Sequence, residues 1–450
     1  MAGSLSTVAR PNVLFLMSDQ HRADVAGFAG DRVARTPVLD ALAASGVVFR
    51  NAYTPAPICI PGRQSLMTGL LPRNCGCRNF GQDIAPGSLT FARVFARHAY
   101  DAVCSGKLHH FGPDQMQGWT RRLAPDAVVG ERFIADRVEA EFARYQPEGG
   151  TGKWSNQKEI ERAGVGTGPF QRFDLRATGA ACDFIRDHFA NPYHDRPGHH
   201  RPLLLKLSLL QPHYPYLTDE GKFNYYLNRV PIFQQARSEH PVLGRTQNGP
   251  DVHATPRELR RATAAYYGMV ETMDAHLGEV LEALRHVGQD LDDWIIVYTT
   301  DHGEMLGQHG IWEKKQFYEA SARVPLIVRW PHRIKPRSVE HNVSLCDLFA
   351  TLCDLCGLPV PPRLDSRSLA PLLSGAAAGF SDEAVSQYGD WVMIKQGRLK
   401  YQYYGKDGPD VLFDLGLNPE ETSDFSHHQE YREPMEVFRR RLLELGVTPA

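Results

Sequence analysis

Two hydrophobic rhythms alternate along the chain. Asn12 to Ser18 is a near-continuous apolar run, the mark of a strand buried on both faces of a parallel sheet. Ala102 to Cys104, Leu203 to Leu210, Trp294 to Thr300 and Val324 to Trp330 read as strands of the same kind. Between them lie helical stripes. Thr36 and Pro37 open one, with Val38, Leu39, Leu42 and Ala43 inward. Others run from Gly62 to Leu70, Ala177 to Phe189 and Leu345 to Leu358. The longest begins at Thr255-Pro256-Arg257-Glu258, a capping box with proline at the first helical position, and keeps a 3.6-residue stripe from Leu259 to Leu284 until Gly288 ends it.

Alternating strands and helices predict an α/β fold whose mostly parallel central sheet carries helices on both faces. We place this unit at residues 11–378. From Gly379 the rhythm changes: Trp391 to Ile394, Gly397 to Tyr404 and Val411 to Asp414 read as antiparallel strands before a helix from Tyr431 to Leu445. Residues 379–450 are therefore expected to form a small C-terminal α+β subdomain. Residues 111–173 break the pattern with Gly, Pro and charge around an amphipathic piece from Phe133 to Tyr145. An insertion of this kind, after a strand's carboxyl end, is where substrate selection is built.

Composition narrows the function little. The chain has 450 residues, 42% hydrophobic and 23% charged, and 50 basic against 52 acidic side chains give a net charge of −2. No general nucleic-acid or membrane-surface binder is expected from this balance. The N-terminus shows no long apolar segment before Asn12, so we expect a cytoplasmic protein. The eight cysteines (59, 75, 77, 104, 182, 346, 353 and 356) agree with that. Cys353 and Cys356 have the spacing of a metal pair but lie in an apolar helix and read as core.

Chemistry concentrates at the polar strand ends, where open α/β sheets gather ligands. These ends are Asp19-Gln20-His21, Ser105 to His110, Gln211 to Tyr216 and Asp301-His302-Gly303-Glu304. Carboxylate and amide oxygens with one imidazole suit a hard or borderline divalent ion, Ca²⁺ or Mn²⁺, better than a structural zinc. Taken alone, Asp19 could be a loop cap and Asp301 part of a turn; the two acidic strand ends together argue for a site. Cys59 lies just upstream of the helix opened by Pro61, where free amides and the dipole favour an anion, and Arg63 adds a permanent cation.

Cys59, Pro61 and Arg63 in Cys-x-Pro-x-Arg spacing resemble the maturation signature of the sulfatase family. In that family a dedicated formylglycine-generating enzyme oxidises the cysteine to formylglycine, whose hydrate is the nucleophile. Asn12 to Gln20, Cys59 to Gly69, Ser105 to His109, Gln211 to Tyr216, Tyr298 to Gly310 and Leu412 to Glu421 resemble sulfatase blocks in the family's order. The resemblance implies metal ligands at Asp19, Gln20, Asp301 and His302, completed by modified Cys59. It implies that Arg63 and Lys107 steady the formylglycine hydrate and that His109 is the base that reforms the aldehyde. His213 and Lys314 would hold the sulfate and help the leaving oxygen, with Lys314 favoured over Lys315 by its spacing from Trp312 and Phe317.

Gln20 and His302 depart from the commoner Asp and Asn, and resemble the branch near choline sulfatases and phosphonate monoester hydrolases. Hydrolysis of sulfate monoesters, small-molecule or carbohydrate, is the expected activity. The alternatives are a phosphonate monoester or phosphate diester hydrolase with the same nucleophile, and a non-catalytic metal-binding protein of this fold. Trp119 or Trp312 could box a quaternary ammonium, although the chain ends at Ala450 without the longer C-terminal extension of the choline enzymes. Oligomeric state is left open, a homo-oligomer included.

Overall fold

The computed structural model describes residues 10–124, 126, 156–190, 201–233, 254–406 and 408–448. The amphipathic piece from Phe133 to Tyr145 lies outside them. In chain order the first strands are β1 Val13–Ser18, β2 Val47–Tyr53, β3 Asp101–Gly106, β4 Arg121–Arg122, β5 Gly164–Val165, β6 Leu203–Ser208, β7 Leu217–Thr218, β8 Ile295–Thr300, β9 Arg323–Arg329 and β10 Arg337–Ser344. Eight of them form one sheet in the order β10-β2-β9-β8-β1-β6-β3-β4, and β5 pairs with β7 apart from it. The expected α/β architecture is present.

β1 lies at the centre, parallel to β6 and β8. Its side chains alternate between two cores: Leu14 and Leu16 face the helices Pro169–Ala190 and Pro256–His286, while Val13, Phe15 and Met17 face the other layer. The long helix starts with the predicted capping box, Thr255 and Glu258 each satisfying the other's backbone amide. Trp119 and Trp312 are 2% and 3% exposed and packed into the two cores, so neither boxes a ligand.

One strand departs from expectation. β9 was expected to match its neighbours, yet it runs antiparallel to both β2 and β8. A parallel return needs a crossover long enough to carry the chain back across the sheet. Between Thr300 and Arg323 there are only the short turns Gln308–Gly310 and Glu319–Ala322, so the chain re-enters from the same end. The helix after Cys59 also differs: it spans Cys59–Thr68 and begins three residues earlier than expected, so Cys59 is its first residue. Pro61 still fits, because amides of a first helical turn have no partner within the helix.

The C-terminal strands β11 Glu383–Tyr388, β12 Trp391–Gln396, β13 Leu399–Tyr403 and β14 Asp410–Asp414 form an antiparallel meander. Helix Arg432–Glu444 covers one face, with Phe438 stacked on Tyr401 at 5.3 Å. All eight cysteines are free, and Cys353 and Cys356 are buried in a core. No helix among the described residues is long and apolar enough to cross a membrane.

The meander is tied to the main sheet by charge. Lys400 on β13, fully buried, binds Glu319 Oε1 at 2.9 Å and also Glu421 Oε1. Glu421 Oε2 in turn accepts the amide of Glu319 at 2.7 Å. Removing the ammonium would leave the buried Glu421 carboxylate facing the half-buried Glu319, with only Arg323 and the Tyr53 hydroxyl still holding Glu319. Lys400→Met should therefore lower the unfolding free energy by about 3–5 kcal/mol in urea titrations, and a loss under about 1 kcal/mol would show that the contact does not hold the two sheets together.

Candidate active site

The carboxyl ends of β1 and β8 bring Asp19 and Asp301 together, and the start of helix Cys59–Thr68 meets them. Gly62 permits that approach: a Cβ there would lie 2.9 Å from Ala56 O and 3.3 Å from Asp301 O. Cys59 Sγ is 3.1 Å from His302 Nε2. One ligand atom each from Asp19, Cys59, Asp301 and His302 falls within 4.8 Å of the others, and all four residues are buried.

Arg63 bridges the two strands. Its Nε donates to Asp301 Oδ2 at 2.7 Å and its Nη2 to Asp19 Oδ2 at 2.9 Å. The remaining N–H groups go to Lys107 O, Ser208 Oγ and Ser18 O, so every donor of the guanidinium is committed. Lys107 Nζ also binds Asp19 Oδ2. Both cations thus converge on a carboxylate and not on residue 59.

The donor set fits a metal ion. Asp19 Oδ1 is buried without a hydrogen-bond partner, an orphaned anionic oxygen that a cation would satisfy. His302 Nδ1 is 3.0 Å from Gly303 O, which places a ring proton there and turns Nε2 toward Cys59 and the carboxylates. Asp301 Oδ1 accepts the amides of Gln20 and His302 at 3.1 and 3.0 Å. Gln20 itself is in the left-handed region (φ 66°) and spans opposite charges: Nε2 donates to Glu304 and Oε1 accepts from Lys314 Nζ.

On the other flank, Lys314 Nζ lies 2.8 Å from His213 Nε2, whose Nδ1 is 2.7 Å from Tyr214 O. His109 sits in the left-handed region (φ 66°), stacked on Phe111 at 5.4 Å, with Nδ1 buried and unpartnered.

The family model described as "Sulfatase" matches residues 11–358, the whole of this arrangement. The chain belongs to the sulfatase family. A second model, "N-sulphoglucosamine sulphohydrolase, C-terminal", matches residues 307–448. The sulfatase is 30% identical to a choline-sulfatase of Rhizobium meliloti, covering 94% of this chain and 83% of that one. It is 26% identical to an arylsulfatase of Clostridium perfringens, over 97% and 94%. The crystal structure of a phosphonate monoester hydrolase of Agrobacterium radiobacter superposes with a TM-score of 0.77 at 26% identity, over 97% and 95%. The protein is thus an enzyme of the sulfuric ester hydrolase class, which sets aside the non-catalytic alternative.

Electrostatics sort this sulfatase's titratable groups. Burial works against the Asp19 charge, but the permanent cations Lys107 and Arg63 hold its carboxyl well below the usual range. Burial and Asp19 oppose a thiolate at Cys59; Lys107, Lys314 and His302 outweigh them and lower its pKa. Burial also opposes charge on His302, yet Asp301 and Cys59 raise it to about 9. Burial raises Asp174 to about 7, while its carboxylate caps the amides of Leu210 and Gln211.

Several supporting residues carried no sequence signal. Asp126 receives the amides of Leu108, His109 and His110 and so shapes the His109 turn. It falls in the irregular insertion, where no pattern marks it. Tyr266 had been read only as part of a core stripe, yet its hydroxyl donates to Gln20 O at 2.7 Å. Glu304 stands beside the metal-type pair in sequence and was given no role.

Burial, reinforced by Lys107 at His109 and by Lys314 at His213, pushes both imidazoles well below 6.5. In the unfolded chain each binds a proton below about pH 6.5, and in the folded chain it does not. The unfolded state then holds more protons, so stability rises with pH up to about 6.5, by at most about 1.4 kcal/mol per unit for each ring. Urea unfolding of EDTA-treated protein between about pH 5 and 7 reads each ring's share as the difference between wild type and a ring variant, because carboxyls raised to about 7, Asp174 among them, contribute with the opposite sign. His213→Gln should remove one ring's share, and an unchanged slope would mean that His213 is charged in the folded state.

Proposed function

We propose that the enzyme hydrolyses sulfate monoesters through a formylglycine made from Cys59, assisted by one divalent cation, Ca²⁺, with Mn²⁺ the alternative. Asp19, Gln20, Asp301 and His302 are the residues to hold the cation beside residue 59. The observation that carries this reading is the buried convergence of Cys59 with Asp19, Asp301 and His302, Asp19 Oδ1 being left without a partner. A bound cation would supply positive charge toward the sulfuryl oxygens and lower the pKa of a hydroxyl on residue 59. As a hydrated aldehyde, residue 59 would offer one hydroxyl to attack sulfur and a second whose deprotonation expels sulfate, which a thiol cannot do.

In this scheme the chain's own groups divide the remaining work. Arg63 and Lys107 fix the Asp19 carboxylate, and Lys107 and Lys314 set the field around residue 59. Lys314 carries the proton nearest His213, so it is the donor to the departing oxygen and His213 the group that aims it. His109, kept neutral by burial, is the base for the hydroxyl of residue 59.

The phosphonate monoester reading, with phosphate diesters beside it, stays as the second. Gln20 and His302 favour it, together with the Agrobacterium radiobacter hydrolase as a structural neighbour. For the chain's organisation we propose a catalytic unit at 11–378, with its substrate-selecting insertion at 111–173, and a C-terminal unit at 379–450, because pairing becomes wholly antiparallel from β11 onward. We propose the cytoplasm as its location, a reducing compartment that suits eight free cysteines.

Three measurements test the chemistry. The tryptic peptide spanning Cys59 should carry an aldehyde in place of the thiol, with the formylglycine-generating enzyme as the maturation partner. Cys59→Ala should lose at least about a thousandfold in kcat/KM while melting like wild type; near-wild-type turnover would remove residue 59 from the mechanism. Turnover of 4-nitrophenyl sulfate should exceed that of 4-nitrophenyl phenylphosphonate, and a large preference for the phosphonate would make the second reading the first.

A further inference from the structure

Lys315 is the one basic residue of the Glu313-Lys314-Lys315 run that the proposed chemistry leaves unused. Both neighbours of Lys314 adopt left-handed backbone, Glu313 at φ 67° and Lys315 at φ 74°. Side chains with a Cβ rarely adopt that conformation unless surrounding structure imposes it, and such strain gathers at functional sites. Here the surroundings are explicit. Lys315 N donates to Pro57 O at 2.8 Å, two residues before Cys59, and Glu313 O accepts the amide of Met305 at 2.9 Å.

The two lysines differ in what they meet. Lys314 is committed to Gln20 and His213. Lys315 is half-buried, and among the described residues its ammonium has neither a hydrogen-bond nor an ion-pair partner. It also stands within the electrostatic reach of Lys314, Glu313 and Cys59: burial first, then Lys314, pulls its pKa below the usual lysine value, against Glu313 and Cys59, which raise it. A half-desolvated ammonium beside another cation is an unfavourable arrangement until an anion arrives. On the proposed route the sulfuryl group is met by the ligand cluster, and Lys314 serves the departing oxygen. A cation one residue further out is placed for a different charge.

We propose that Lys315 binds a second anionic group on the alcohol part of the substrate, a carboxylate or a further sulfate, next to the ester that is cleaved. This rests on the sulfatase reading above and narrows it, from sulfate monoesters in general to those of alcohols that are themselves anionic. The discrimination is one of charge: a neutral alcohol leaves the ammonium unpaired, and a cationic one is repelled by it.

The test compares wild type, Lys315→Met and Lys315→Arg on phenyl sulfate, on 3- and 4-carboxyphenyl sulfate, and on the disulfate esters of resorcinol and hydroquinone. Wild type should prefer at least one doubly anionic ester, and the carboxylate and disulfate arms identify which anion is read. Lys315→Met should lose about tenfold or more in kcat/KM on that ester, mostly through KM, and change less than about threefold on phenyl sulfate. Lys315→Arg should recover most of the loss. An equal loss on phenyl sulfate, or no preference for any doubly anionic ester in the wild type, would overturn the assignment. A wild type that cleaves none of these sulfates overturns the sulfatase reading itself, a result distinct from turnover without charge preference.

Discussion

The contact on which the rest depends is the guanidinium of Arg63 lying between the carboxylates of Asp19 and Asp301. β1 and β8 are adjacent parallel strands, and continuing their register places the two acids side by side, both fully buried. Two like charges so placed would repel strongly and drive one acid to take up a proton. Arg63 and Lys107 cancel them, so these four residues balance without any ion. The charge of a bound divalent cation is then surplus to the framework and available to an incoming anion. The same balance recurs one step outward, where the Gln20 amide stands between Glu304 and Lys314.

The segment from Asp301 to Ala322 is held from several sides because it does several things at once. Its antiparallel return into β9 keeps it wholly at the ligand end of the sheet. There Gly303 and Glu304 donate to Ser321 O and Ala320 O, both at 2.8 Å, which fixes the backbone beside His302. A Cβ on Gly303 would lie 2.0 Å from Ala320 O, so no larger residue keeps that pairing. Thr54 donates to Ala322 O and Lys315 to Pro57 O, which tie the loop before Cys59 to the same segment. Glu319 extends the chain of contacts to Glu421 and Lys400, so the C-terminal meander buttresses the site through one short turn.

How much of this could be read from the sequence follows from what each signal encodes. Buried strands such as Leu203–Ser208 and the capping box at Thr255 are local, and they were legible. The direction of β9 was not, because a buried strand has the same apolar pattern whichever way it runs. β2 and β10 were not read as strands: Arg50 and Asn51 interrupt one, and Glu340, His341 and Asn342 the other. The site's membership was legible through Cys59, Arg63, Asp19 and Asp301, since these stand at strand or helix ends. Which atom each cation would meet was not, because Lys107 is brought onto Asp19 by the register of β3, β6 and β1, and Arg63 by the packing of the helix Cys59–Thr68 on those strand ends. Asp126 and Tyr266 act through single long-range hydrogen bonds, and nothing near them in the chain announces those bonds.

A buried imidazole, His109, and a half-buried one, His213, in a field of cations give the site its division between proton holders and proton takers. His213 points Nδ1 at Tyr214 O and Nε2 at Lys314. In its neutral form the ring proton therefore sits on Nδ1, and the Nε2 lone pair receives from the ammonium. A ring in that state cannot also deliver a proton from Nε2 to a leaving oxygen, whereas the lysine still has N–H groups to give. His109 has its backbone amide held by Asp126 and its ring packed against Phe80 and Phe111. Lys107 and Arg63 help keep it deprotonated. On the proposed route this gives acid and base to separate residues, Lys314 and His109, without any change in the charge of His109 or His213 before substrate binds.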